Sequence, residues 1–400
     1  MSWTAKRLDQ LGTVSRGRSR HRPRDAAHLY GGPHPFIQTG DVKHAGLYIN
    51  SFSQTYTEAG LAQSKLWPVG TLCITIAANI ADTAILGIDA CFPDSVIGFI
   101  ADPAQADTRF IKYLFDATIK NRAQQFSQGA TQDNLSQEKL LSLEFAIPSV
   151  AEQKRIAEIL STYDDLIDNN RRRMALLEDS ARQLYREWFV RLRFPGHEHT
   201  TIVDGVPQGW SIGSVSDFYE TSSGGTPSRK IPEYFTGDIP WVKTQELNNG
   251  FITETSEKIT EDALKNSSAK LFPKLTVLIA LYGATVGELG ITAYTAATNQ
   301  ACCAVLMKDP RGHFTHAFLF FRENKGVLVN LSAGAAQKNI SQQIVRGVPM
   351  LMPTTALMST FTEIVSPVFE QILNLQLTNQ KLRQARDLLL PRLMNGELAV

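Results

Sequence analysis

The sequence predicts an α/β (α+β) fold with two duplicated, mixed α/β units that are separated by a long antiparallel two-helix coiled coil with pseudo-two-fold symmetry. Three observations predict it. The chain repeats itself at a shift of 205 residues, short apolar runs recur in both halves, and two long segments place apolar residues at alternating spacings of four and three.

The internal repeat aligns the two halves over most of their length. Leu66-Trp67-Pro68 corresponds to Leu271-Phe272-Pro273, and the segment 129–136, GATQDNLS, corresponds to 334–341, GAAQKNIS. Near the N-terminus the shift becomes 207 and places Gly17 on Gly224. The halves are therefore predicted to be diverged copies of one unit.

The apolar runs of each unit are short and rich in Ile, Val and Thr, which is typical of strands. They are Val69–Ile76, Ala84–Ile88, Ser95–Ile100, Lys274–Leu281, Glu288–Thr292 and Ala301–Met307. Phe110–Gln124 and Thr315–Asn330 are predicted to be helices. The predicted organisation is a first unit at 1–148, a helix at 149–194, a linker at 195–206, a second unit at 207–353, and a helix with the C-terminal tail at 354–400.

The first long helix is predicted over Ser149–Phe194. Ser149 and Glu152 have the spacing of a capping box. The apolar seam has one polar member, Asn170, and charged residues between its positions, including Asp164, are expected to face water. The seam residues are Ile156, Leu160, Tyr163, Ile167, Met174, Leu177, Ala181, Leu184 and Trp188.

The second long helix repeats this pattern and also has one seam asparagine, Asn379. Antiparallel pairing brings Asn170 opposite Asn379, where two buried amides would fix the register. The same register places Trp188 on Phe361 and Tyr163 opposite Arg386. Pro367 and Pro391 are expected to kink or bound this helix. Two separate amphipathic helices, each lying on its own unit, are the alternative.

Composition restricts the class of protein. With 43% hydrophobic residues the chain can bury real cores, and 40 basic against 39 acidic residues leave no global field that favours DNA. Cys73, Cys91, Cys302 and Cys303 lack metal-site spacing and are expected to be buried thiols. We find neither a signal peptide nor an apolar run that spans a membrane, and we expect a cytoplasmic protein without a membrane partner.

Catalytic motifs are weak or missing. The sequence contains no P-loop and no Asn/Asp-Pro-Pro-aromatic methyltransferase loop. Asp94, Glu152 and Lys154 loosely match a metal-dependent nuclease pattern, and this leaves a stand-alone nuclease as one alternative. His197, His199, His313 and His316 are expected to be surface residues. We expect no catalytic residues, no metal site and no cofactor in this chain.

Binding signals are stronger. Five arginines alternate with small or polar residues in a loop of the first unit that we expect to be flexible and suited to phosphates. They are Arg16, Arg18, Arg20, Arg22 and Arg24. The matching loop of the second unit offers Thr226, Ser228, Arg229 and Lys230. A solvated loop without a ligand is the alternative for each.

The repeated GAxQxN(L/I)S segments carry side chains able to read base edges. They are Gln132, Asn134, Gln337, Lys338 and Asn339. An asparagine beside glycine also caps turns, so a purely structural role remains open.

These residues resemble the specificity subunits of type I restriction-modification systems. The resemblance covers the whole chain through the GGTPS loop, the GAxQxN(L/I)S segments, the EQxxIAxIL entry to the first helix and the end of the second helix, LLLPRLMNGEL. The first unit departs from the family by having the arginine-rich loop in place of GGTPS.

The resemblance implies a non-catalytic, prokaryotic DNA-recognition subunit. Each unit would be a target recognition domain that reads one half of a split double-stranded DNA sequence, and the helices would set the spacing. Two modification subunits would dock and methylate adenine N6 with S-adenosylmethionine, and restriction subunits would cleave with ATP and Mg²⁺. A duplicated coiled-coil scaffold that binds only proteins is the remaining alternative.

Overall fold

Residues 3–77, 80–120, 136–331 and 339–400 are described by a computed structural model. The chain divides into two compact units, and each includes part of both long helices. Unit 1 comprises Met1–Asn170 and Asn379–Val400, and unit 2 comprises Arg171–Thr378.

Unit 1 is mixed α/β. Its strands are β1 (Thr4–Lys6), β2 (Gly12–Arg16), β3 (Tyr30–Phe36), β4 (Tyr48–Ile49), β5 (Gln54–Tyr56), β6 (Leu66–Trp67), β7 (Leu72–Thr75), β8 (Thr83–Leu86), β9 (Ala90–Cys91), β10 (Val96–Ala101) and β11 (Phe145–Ile147). They form a five-stranded sheet in the order β2-β10-β7-β8-β4, a four-stranded sheet in the order β5-β3-β9-β6, and the pair β1-β11. Short helices lie at Thr39–His44, Glu58–Ala62, Thr108–Phe115 and Gln137–Leu141, with a π-helical turn at Asp116–Lys120.

Unit 2 repeats this topology strand for strand. Its strands are β12 (Ile202–Val203), β13 (Val206–Pro207), β14 (Ser211–Ser214), β15 (Tyr219–Ser223), β16 (Ile239–Val242), β17 (Gly250–Ile252), β18 (Lys258–Ile259), β19 (Leu271–Phe272), β20 (Val277–Ala280), β21 (Leu289–Thr292), β22 (Ala296–Thr298), β23 (Cys302–Met307) and β24 (Pro349–Met352). The sheet orders are β15-β23-β20-β21-β17, β18-β16-β22-β19 and β14-β24, with the added hairpin β12-β13. Its short helices are Val215–Phe218, Glu261–Lys265, Phe314–Glu323, Lys325–Leu331 and Gln342–Gly347. The predicted duplication is confirmed.

The shift between the copies is less constant than predicted. Thr57 and Thr260 cap equivalent short helices but are 203 residues apart, whereas Cys91 and Ala297 hold equivalent sheet positions 206 apart. Turns between strands absorb such length differences because their backbones face solvent.

The two long helices are Val150–Tyr185, which continues into a π-helical turn at Arg186–Val190, and Thr355–Met394. The Ser149 hydroxyl accepts the Glu152 amide at 3.3 Å, as expected of an N-cap. The second helix runs through Pro367 and Pro391, so neither proline bounds it.

The predicted helix register is confirmed in unit 1. The Asn170 side-chain amide donates to Asn379 Oδ1 at 2.8 Å, and Asn379 in turn donates to the Ile167 carbonyl at 3.3 Å. Both asparagines are buried. At the same time, Ile156 and Leu160 share a hydrophobic cluster with Leu393.

Asp164 corrects the sequence analysis. It was expected to face water, yet it is only 7% exposed, accepts the Tyr113 hydroxyl at 2.6 Å and pairs with Arg386. Arg386 therefore pairs with Asp164, the neighbour of Tyr163, which the register was predicted to place opposite Arg386. A carboxylate can be buried here because a cation and a hydroxyl both compensate its lost hydration.

In unit 2 the predicted contact between Trp188 and Phe361 is confirmed, with ring centroids 5.7 Å apart. The first long helix is also attached to this unit by charge. Glu323 accepts Arg182 at 2.5 Å and Arg186 at 2.7 Å, and its carboxylate is largely buried. These contacts join the helix pair to the body of unit 2.

Two further expectations concern buried groups. The four cysteines are buried and free, as predicted. His316, expected at the surface, is 1% exposed and accepts or donates a hydrogen bond with the Tyr219 hydroxyl at 3.1 Å. Burial lowers the pKa of His316 to about 3, so its imidazole is neutral at physiological pH.

Candidate nucleic-acid interface

The arginine-rich loop of unit 1 begins where β2 ends and is held along its backbone. The Arg18 amide donates to the Phe92 carbonyl at 3.0 Å, and the Ser64 hydroxyl donates to the Arg18 carbonyl at 2.8 Å. Gln63 Oε1 accepts the Arg20 amide at 2.6 Å. The expected flexible loop is thus anchored to the segment that precedes β6 and to the turn after β9.

Three of the five guanidinium groups make contacts within the protein. Arg24 forms an ion pair with Asp94 at 2.8 Å, and Arg16 donates to the Asp94 carbonyl at 3.0 Å. Arg22 donates to the Ser19 carbonyl at 2.9 Å. These contacts fix the shape of the loop.

Arg18 and Arg20 differ from the other three arginines. Both side chains are exposed, and within the described ranges neither guanidinium has a hydrogen-bond or ion-pair partner. A guanidinium with five free donors is well suited to a phosphate oxygen or a guanine edge. Arg18 and Arg20 are therefore the arginines of this loop whose guanidinium groups are available to a ligand.

The matching loop of unit 2 depends on its glycines. A Cβ at Gly224 would lie 2.0 Å from the Thr298 carbonyl oxygen, so only glycine fits there. The Gly225 amide donates to that carbonyl at 3.0 Å, and the Trp241 indole donates to the Gly225 carbonyl at 3.1 Å. The GGTPS sequence is thus explained by close packing at its first two residues.

Arg229 has a structural role that the sequence did not indicate. It pairs with Glu257 at 2.6 Å and lies 4.1 Å from the centroid of the Phe235 ring. Lys243 pairs with the same carboxylate at 2.6 Å. The hydrogen bonds from Arg229 and Lys243 hold the pKa of Glu257 below its usual value.

The other candidates of this loop are exposed. Lys230 and Ser228 face solvent, and the Lys230 ammonium has no partner in the part of the chain that the structure describes. The Thr226 hydroxyl donates to Gln300 Oε1 at 2.5 Å. Gln300, which the sequence analysis missed, therefore adds an exposed amide beside the loop.

One candidate of the GAxQxN(L/I)S segments can be placed. Asn339 is exposed and forms a β-bridge with Tyr282, and the Ile340 amide donates to the Leu281 carbonyl at 2.6 Å. Burial raises the pKa of Tyr282, and an interaction with the nearby Gln300 side chain opposes this rise. Tyr282, the bridge partner of Asn339, therefore lies near Gln300, which accepts the Thr226 hydroxyl of the GGTPS loop.

The remaining candidates, Gln132, Asn134, Gln337 and Lys338, lie outside the described residues. The serine that ends each segment is described. Ser136 accepts the Lys139 amide at 3.1 Å and Ser341 accepts the Ile344 amide at 3.2 Å, each as the N-cap of a short helix. This part of the motif is structural.

Asp94 and Gln300 occupy equivalent positions in the two units. Each lies two residues after the carbonyl that accepts the loop amide, at Phe92 in unit 1 and Thr298 in unit 2. Asp94 pairs with a loop arginine, whereas Gln300 accepts a loop hydroxyl. The two interfaces thus share a framework but differ in the groups they expose.

The nuclease alternative gains no support. Asp94 is occupied by Arg24, and Glu152 lies at the start of the long helix beside its N-cap. Among the described residues, no three or more His, Cys, Asp or Glu side chains gather in a way that could hold a metal ion. Within the same residues, no helix is long and apolar enough to cross a membrane.

Known proteins share this architecture. Residues 1–179 and 207–382 match the family model described as type I restriction modification DNA specificity domain. The chain is 27% identical to the type I restriction enzyme MjaIX specificity subunit of Methanocaldococcus jannaschii, over 100% of this chain and 94% of the relative. It is 23% identical to the HindI specificity subunit of Haemophilus influenzae, over 91% and 94%.

A solved structure is similar in fold. The type I restriction-modification S subunit from M. genitalium superposes with a TM-score of 0.64 at 15% identity, over 98% of this chain and 96% of that one.

Proposed function

Because the chain belongs to the family of type I restriction modification DNA specificity domains, we propose that it is the DNA-recognition subunit of a type I restriction-modification complex. Each unit reads one half of a bipartite sequence in double-stranded DNA. The long helices set the spacing of the halves and dock two modification subunits. We keep the boundaries predicted from the sequence: recognition domains at 1–148 and 207–353, and spacer helices at 149–194 and 354–400.

One observation carries the proposal: two units with the same strand order expose different groups at equivalent loops. A shared framework suits a common task, and different exposed groups suit different base sequences. The proposed contacts are Arg18 and Arg20 in unit 1, Thr226, Ser228 and Lys230 in unit 2, and the polar side chains of the two GAxQxN(L/I)S segments. Arg16, Arg22, Arg24 and Arg229 support these loops.

Catalysis belongs to the partners in this proposal. The modification subunits use S-adenosylmethionine to methylate adenine N6, and the restriction subunits use ATP and Mg²⁺ to cleave DNA. This chain then needs no cofactor, and the complex acts on DNA in the prokaryotic cytoplasm.

Methylation mapping tests the proposal. The modification subunits are expressed in cells with and without this chain, and methylated adenines are located by sequencing the DNA. We expect methylation at one bipartite sequence with a constant gap, only when the chain is present. Methylation at the same sites without the chain, or none with it, contradicts the proposal. Plasmid cleavage by the purified chain alone with Mg²⁺ would instead favour the nuclease.

A further inference from the structure

A lysine stands at the same place in both copies of the repeat. Lys65 precedes Leu66-Trp67-Pro68, and Lys270 precedes Leu271-Phe272-Pro273. Each therefore lies immediately before an edge strand of a four-stranded sheet, β6 in unit 1 and β19 in unit 2. The position is retained although the neighbouring loops have diverged.

In unit 1 this lysine lies beside the free arginines. Ser64 and Gln63, which bind the backbone of Arg18 and Arg20, directly precede it. The Lys65 ammonium lies 3.6 Å from the centroid of the Trp67 ring. Burial lowers the pKa of Lys65, and the nearby Arg18 cation lowers it further.

No carboxylate compensates this charge. Within the described residues, Lys65, Arg18 and Arg20 have no ion-pair partner, and the Asp94 carboxylate, which contacts the loop, is bound to Arg24. An indole ring attracts a cation without neutralising it. Three neighbouring cations without an anion form a surface that an anion would stabilise.

In unit 2 the equivalent lysine also points to its loop. The Lys270 ammonium donates to the Ser222 hydroxyl at 3.1 Å, and Ser222 lies in β15 directly before the GGTPS loop. Lys270 is exposed, and a neutral hydroxyl satisfies only one of its three donors. Its charge is therefore oriented but unpaired within the described chain.

We propose that Lys65 and Lys270 are equivalent phosphate contacts, one in each unit, that bind the backbone of the DNA duplex. The inference rests on the proposed function and adds residues that no loop motif identifies. Phosphates are the same in every sequence, so a residue that binds them can be retained in both copies. Residues that read bases must differ between copies, as the proposed contacts Arg18 and Arg20 of unit 1 differ from Thr226, Ser228 and Lys230 of unit 2.

The test measures DNA binding by the full chain, with fluorescence anisotropy on a duplex of arbitrary sequence at several salt concentrations. Lys65→Met and Lys270→Met remove the charge but keep the aliphatic stem, and Lys65→Arg and Lys270→Arg keep the charge. Lys154→Met and Lys258→Met are control variants, because these lysines are exposed and lie elsewhere on each unit. Thermal unfolding confirms that each variant is folded.

We expect each Met variant to lose about five- to tenfold in affinity and to reduce the salt slope by about 0.9. The Arg variants and the controls should bind like the original chain. Met variants that match the controls would overturn this inference alone, whereas an original chain that does not bind duplex would overturn the proposed function as well. Displacement of the duplex by millimolar inorganic phosphate at constant ionic strength would indicate a site for free phosphate and contradict a backbone contact.

Discussion

At the residue scale, the buried amide pair of the helices makes a specific prediction. Asn170→Leu removes the amide that donates to Asn379 Oδ1, so this buried oxygen is left without a donor. The Asn379 amide still donates to the Ile167 carbonyl. We expect the variant to lose about 1–3 kcal/mol of unfolding free energy, measured by chemical denaturation.

The matched control is Asn169→Leu on the neighbouring exposed position, which should change stability little. Replacing both Asn170 and Asn379 with leucine should restore most of the loss, since no buried amide then lacks a partner. A single Asn170→Leu variant as stable as the control would refute the structural role of the pair.

Substitutions of Arg229 and Lys230 should have different effects, because Arg229 supports the loop whereas Lys230 is proposed to bind DNA. Lys230→Ala should weaken duplex binding and lower its salt slope without changing stability. Arg229→Ala should lower stability, because Arg229 holds the pKa of Glu257 below the ordinary value of 4.5. A carboxyl with a lowered pKa contributes stability above pH 4.5, and that contribution is lost as the pH falls through its folded-state pKa.

The stability difference between the original chain and Arg229→Ala should therefore be full at pH 7 and shrink below about pH 4.5. Unfolding curves at several pH values measure it. A stability difference that does not depend on pH would show that the ion pair with Glu257 is not its cause.

Residues with a regular pattern could be predicted, and residues defined by distant partners could not. Asn170 and Asn379 interrupt a 3.5-residue period, so their positions and pairing followed from the sequence. Asp164 lies in a charged run, and its partners Tyr113 and Arg386 are 51 and 222 residues away. No motif in the sequence around Lys65 marks it as a binding residue. Its position beside Arg18 is seen only in the folded structure, where Ser64 binds the loop.

At the scale of elements, the strands that contain apolar runs were predicted well, whereas the lengths of the turns between them were not. The predicted Val69–Ile76 became Leu72–Thr75, and Ala301–Met307 became Cys302–Met307. Turn sequences have no apolar periodicity, so the sequence pattern did not predict how the shift between the two copies varies.

The helix pair also makes a prediction. If the helices set the gap between half-sites, removal of one heptad from each should shorten that gap. Residues 171–177 and 372–378 face each other in the predicted register, and their removal keeps the hydrogen bond between Asn170 and Asn379. The Gln376 bond to the Phe251 carbonyl would be lost, so the folding of the variant must be checked.

Seven residues span about 10 Å of helix, or about three base pairs at roughly 3.4 Å each. We expect methylation mapping to show a gap shorter by about that number, with both half-site sequences retained. The control removes 171–177 alone, which breaks the pairing and should abolish methylation. A folded double deletion with an unchanged gap would show that the partners, and not the helices, set the distance.

At the scale of the whole molecule, the duplicated topology was predictable because the repeat extends through the apolar core. The bases that each unit reads could not be predicted, because readout depends on loop geometry and on side chains that lie outside any sequence motif, as Gln300 does. The molecule is thus a repeated framework with diverged loops. The central hypothesis of the proposed function is that each unit reads its own half-site.

Exchange of residues 1–148 for the first unit of another family member tests that claim most directly. Gln153 holds this unit through backbone atoms, the Asp107 amide and the carbonyls of Gln105 and Pro148, which any unit can supply. The donor should have tyrosine at the position of Tyr113, which binds Asp164. Methylated sites should then change in one half only and keep the other half and the gap. A chimera that alters both halves, or neither, would contradict the claim.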